Sequence, residues 1–144
     1  MAHQHILPEG WPVPKGYANG ILADSGRLLF IAGQVGWDEN EVFSSTDIVP
    51  QFERALKNIL TIVSSAGGVA SDICRMTCFC KDRDAYLLAR KELGAVWKSV
   101  MGRHYPCMSM IFISDLLDHP ALIEIEATAV IPSGEVIAGQ RTRS

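Results

Sequence analysis

Excess charge of either sign is what this 144-residue chain has least of: 13 Lys and Arg oppose 16 Asp and Glu, a net charge of −3. A nucleic-acid surface needs a basic stripe, and the sequence has none, so no nucleic-acid partner is expected. No apolar run approaches the ~20 residues that cross a membrane. The first residues lack a basic segment followed by an apolar run, so no signal peptide or membrane partner is expected. Cysteine is scarce, with Cys74, Cys78, Cys80 and Cys107 the complete set. The first three share one parity along a predicted strand and so one face. One extended strand cannot wrap three thiolates around a tetrahedral metal. Nor can it bring same-face neighbours close enough for a disulfide. They are read as small buried apolar residues of a protein in the reducing cytoplasm. His3, His5, His104 and His119 lack metal-ligand spacing, so no metal is expected. Gly33 and Gly36 lack the spacing and the Lys of a phosphate loop. No cofactor is implied.

What is present is apolar and periodic. With 48% hydrophobic and 20% charged residues, the chain reads as one globular domain over residues 1–132. A patternless tail over residues 133–144 is expected to be mobile or to cross to another subunit. The first 17 residues are rich in Pro and Gly and predict a short strand over residues 4–7, then irregular chain. Residues 21–24 and 28–34 read as two strands joined at Ser25-Gly26 as a tight hairpin. Gly33 and Gly36 permit close backbone approach to a neighbour or ligand. Trp37 beside them fits a packing residue and a cleft wall equally well.

Ser44, Ser45, Thr46 and Asp47 offer N-caps to a helix whose buried stripe is Ile48, Phe52, Ala55, Leu56, Ile59, Leu60 and Val63. Gly67-Gly68 ends it. Residues 73–81 form the next strand. A second helix is predicted over residues 82–101, with Tyr86, Leu93, Trp97 and Val100 inward. Arg90 stands four residues after Tyr86 and intrudes on that stripe. It is either a snorkelling side chain or a cation aimed into a cleft. Two further strands follow within residues 105–130. In the last, Ile123, Ile125, Ala127 and Ala129 share a core face, while Leu122, Glu124, Glu126 and Thr128 share the other. This order predicts an α+β domain with both helices on one face of a mixed sheet. The other face, with its apolar residues and cysteines, is expected to meet another subunit.

The segment Pro106-Cys107-Met108-Ser109, with Ile123-Glu124-Ile125-Glu126-Ala127 beyond it, resembles the signature of the RidA/YjgF family, also known as L-PSP-type endoribonucleases. Ala32-Gly33-Gln34 matches that family's Ser-Gly-Gln with Ala for Ser, and Tyr17 falls where the family has a cleft Tyr. Met108 occupies the position of the family's Arg. The likeness covers roughly residues 5–132. It implies a chorismate-mutase-like sheet backed by two helices, a homotrimer, and small-molecule clefts between subunits. It also implies hydrolysis of reactive enamines and imines to a carbonyl compound and ammonia. Glu124 would then direct a water, and Tyr17, Ala32, Gly33, Cys107, Met108 and Met110 would contact substrate. Met108 cannot grip a carboxylate. Losing such a partner costs on the order of 2–5 kcal/mol. Three readings stay open. The pocket turns over an imine with an apolar group beside Met108, or Arg90 or Arg103 replaces the cation, or the trimer only binds a ligand. Nucleolytic cleavage of RNA is a distant alternative. Cys107 as a nucleophile has only His104 near in sequence, and a strand points the two to opposite faces.

Overall fold

In the computed structural model, which describes residues 3–133, the main sheet has four strands. These are β3 (Arg27–Val35), β4 (Ile73–Cys80), β5 (Cys107–Phe112) and β6 (Ile123–Ile131), in the order β3-β6-β4-β5. The first two strands, β1 (Gln4–Ile6) and β2 (Gly20–Leu22), pair only with each other. Helices α1 (Ile48–Ser65) and α3 (Arg90–Met101) cover one sheet face, and the short α2 (Arg83–Leu88) precedes α3. The expected α+β architecture is the one observed. The expected tail, from residue 134 onward, lies outside the described residues.

The period-two pattern of β6 decides which sheet face is dry. Ile123, Ile125, Ala127 and Ala129 are buried, as their spacing predicts, against Phe52, Leu56 and Ile59 of α1 and Leu93 and Trp97 of α3. α1 buries the predicted stripe except for Leu60, which is half-buried, and adds Gln51, which is 1% exposed. Its amide donates to the carbonyls of Ser45 and Pro120, both at 3.0 Å, and its oxygen accepts from Leu122 N at 2.7 Å. A buried amide is tolerated because every polar atom finds a partner. The contact ties α1 to the entry of β6.

Three expectations need correction. No hairpin joins β2 to β3, because β2 pairs with β1 and β3 with β6. Gly26 instead lies so close to the Ile131 carbonyl that a Cβ there would collide with it. The second helix is interrupted at Ala89, whose N–H is shared between the Ala85 and Tyr86 carbonyls. No Gly or Pro signals that break. The pairing of the two signature strands, which their pattern left open, is also decided: they are not neighbours. β4 lies between β5 and β6, parallel to the first and antiparallel to the second. Finally, the cysteines of β4 do not share a face. The register shifts between Ile73 and Arg75, so Ile73 and Met76, three residues apart, both enter the core. Cys78 and Cys80 follow Met76 into the helix-covered side, and Cys74 falls out of phase. The open face therefore owes its apolar character to Leu28, Phe30 and Ile111, at 62%, 75% and 42% exposure, and not to these thiols.

Candidate active site

The residues singled out by sequence fall on two sides of one sheet. Met108 and Met110 point to the helix side, where they pair in register with Met76 and Cys78 and pack on the core. Together with Arg90 they line a cavity of about 240 Å³ between β5, α1 and α3. Its far wall is aromatic. The rings of Trp97 and Tyr105 stack at 5.8 Å and 10°, and the Phe52 ring lies 6.5 Å from that of Trp97. Trp97 Nε1 donates to the His104 carbonyl at 3.0 Å, which fixes the indole in place. Tyr86 closes one end and touches Phe112 edge-on at 5.5 Å. Burial raises the Tyr86 phenol's pKa, and the nearby Arg90 charge opposes that rise. Arg90, exposed to solvent, is among the residues that line the cavity.

Cys78 contributes only a thiol to this cavity. Burial pushes its pKa up to about 12, so it stays protonated at neutral pH and acts as an apolar wall. Its Sγ lies 3.9 Å from the Met108 sulfur. Tyr17 lines an adjoining hollow of about 260 Å³ with Arg103, and Tyr105 borders both spaces.

Glu124 lies on the opposite face, with Phe79 as its register partner on β4. β3 shifts register between Ile31 and Gln34, leaving Ala32 and Gly33 without partners on β6. The Glu124 carboxylate occupies the space this creates. A Cβ on Gly33 would meet its carboxyl group, so the acid rests directly against the bare glycine backbone and any side chain there would displace it. Burial raises the Glu124 pKa, and Asp118 and Glu126 raise it further. No cation figures among the groups that shift it. Gly36 has a different reason: a Cβ there would lie 2.6 Å from the Gln51 Cα, so it seats β3 against α1. Cys107 is out of phase with Met108 and lies outside the cavity, near enough to Cys74 to raise that thiol's pKa after the larger effect of burial.

One family matches this chain along most of its length. The family described as Endoribonuclease L-PSP matches residues 12–131. The chain belongs to that family. A RutC family protein of Pyrococcus abyssi is 30% identical across 90% of this chain and 98% of its own length. A Salmonella typhimurium protein named 2-iminobutanoate/2-iminopropanoate deaminase is 29% identical across 87% of this chain and 95% of its own. A Rid family protein of unknown function from Yersinia pestis has a crystal structure similar at a TM-score of 0.79 and 29% identity, covering 91% of this chain and all of that one. The RidA/YjgF fold of this L-PSP family member thus agrees with the resemblance carried by its signature strands.

Sequence reasoning missed three wall residues of the cavity. Tyr86 and Trp97 were recognisable only as core-facing, and Tyr105 only as the residue before Pro106. Lys15, at the cavity edge, carries no local signal at all. The legible clues were Arg90 on an apolar stripe and, through the family resemblance, Met108 and Met110.

Proposed function

We propose that this L-PSP family member hydrolyses the C=N bond of a small imine, or of an enamine that tautomerises to one, in pockets formed between copies of the chain. Water adds to the imine carbon while Glu124 takes one of its protons. The C–N bond of the resulting carbinolamine then breaks, and the nitrogen leaves as ammonia with the returned proton. One water enters, one ammonia leaves, and nothing is oxidised or reduced. The observation that carries this reading is the setting of Glu124. Its carboxylate is partly desolvated, beside like charges, above a backbone cleared of side chains. Such a setting brings a carboxylate toward the pKa of a useful base. A salt-bridged sheet edge would show the opposite shift. The relatives named as iminobutanoate and iminopropanoate deaminases lend support. Because Glu124 and the Met108 cavity lie on opposite faces of one chain, a complete site in this reading takes Glu124 from one copy and the cavity from its neighbour.

Met108 favours a second reading, a non-catalytic trimer that binds a small ligand, since β5 supplies no cation to the cavity. A ribonuclease has the family's description in its favour and the chain's net charge of −3 against it. Ammonia release from freshly generated amino-acid-derived imines separates these. Wild type is expected to turn over and Glu124→Ala to lose about 100-fold or more. Equal rates in the two proteins would remove Glu124 from the reaction. A silent wild type whose Met108→Arg variant gains turnover would establish the binding reading on an intact scaffold.

A further inference from the structure

The cavity beneath α3 has a composition that names a substrate class. Its aromatic stack, Tyr86 and the two methionines make an apolar interior. Among the described residues, Arg90 and Lys15 are its only charged lining groups, and no Asp or Glu lines it. An apolar cavity of about 150 Å³ already holds benzene. Pockets for drug-sized ligands start near 300 Å³. At about 240 Å³ this one has room for a single ring with a small anionic head. Gly94 adds an independent observation. It sits inside α3, where glycine destabilises a helix relative to alanine. Its φ is ordinary and nothing lies within 4 Å of where its Cβ would be, so packing does not require it. Its one structural distinction is that it lines this cavity.

We propose that the cavity selects substrates with a bulky apolar, preferably aromatic, side chain and a carboxylate: the ring lies against Tyr86 and Met108, and the carboxylate is held by Arg90. Gly94 keeps the mouth open to that ring. Met108 in this arrangement is a specificity determinant, because an arginine there would fill the space the ring needs. This inference rests on the reading of the chain as an imine-binding protein, and it concerns which imine.

Isothermal titration calorimetry with stable 2-oxo acids, the carbonyl products of such imines, tests it without turnover. Phenylpyruvate is expected to bind wild type about tenfold or more tightly than pyruvate, since a buried ring adds apolar area that a methyl lacks. Arg90→Gln should weaken both acids by about tenfold, with the ratio kept. Gly94→Leu should melt no lower than wild type, because leucine is the better helix former, yet lose the preference for phenylpyruvate. Equal affinities in wild type, or an undiminished preference in a folded Gly94→Leu, would overturn the assignment. If that happens while imines still release ammonia, only the substrate class fails. If the preference stands but Glu124→Ala turns over normally, only the catalytic reading fails.

Discussion

The Glu124 carboxylate is held where its charge is disfavoured, so its contribution to stability has a definite sign. Burial, then Asp118 and Glu126, raise its pKa above the ordinary value of 4.5. The folded chain therefore holds this proton more tightly than the unfolded chain. The associated stability is present below 4.5 and is lost as pH rises through the folded value. Glu124→Gln should consequently raise the melting temperature at neutral pH and change it little near pH 4. A melting temperature that falls at neutral pH would show the carboxylate to be a structural partner. Stability lost to an acid and regained on its removal is the expected mark of a functional group. The pairing of Gly33 with this acid was only half legible. A glycine beside a strand end signals close approach, but its partner, nearly a hundred residues away, becomes visible only when β3 and β6 pair.

α1 shows the same division between local and distant information. Its buried stripe follows from a 3.6-residue period, and Phe52, Leu56 and Ile59 land where the spacing places them. Gln51 breaks the pattern because its partners at Ser45, Pro120 and Leu122 come from two separate loops. Gln51→Leu keeps the volume and strands those three backbone groups. Unfolding in denaturant should show a loss of about 2–4 kcal/mol, the range for buried polar groups left unpaired. A loss within experimental error would mean that the loop around Pro120 relaxes to water. α2 and α3 are the less legible pair. Their break at Ala89 uses no helix-breaking residue, yet it places Tyr86 and Arg90 on the same cavity.

The open sheet face carries Leu28 and Phe30 largely exposed, with Ile111 partly so. Large apolar side chains exposed on both edge strands of one sheet face fit an interface, and the reading of Glu124 and the cavity as halves of one site needs a neighbouring copy. We expect wild type to sediment as a trimer and Phe30→Glu as a smaller folded species with lost deaminase activity. A monomeric wild type that still turns over imines would remove the shared site. Among the described residues, no helix is long and apolar enough to cross a membrane. The amino-acid pattern alone determined the class of fold, the core face of β6, the stripe of α1 and the family to which the chain belongs. All of these depend on periodicities and spacings within short stretches. Only the folded chain decided that β4 separates the two signature strands, that a bulge moves Cys78 and Cys80 into the core, and that Arg90 and Met108 meet at one cavity. Those outcomes depend on which strands pair and which surfaces they bury together, and no single stretch of sequence contains both partners.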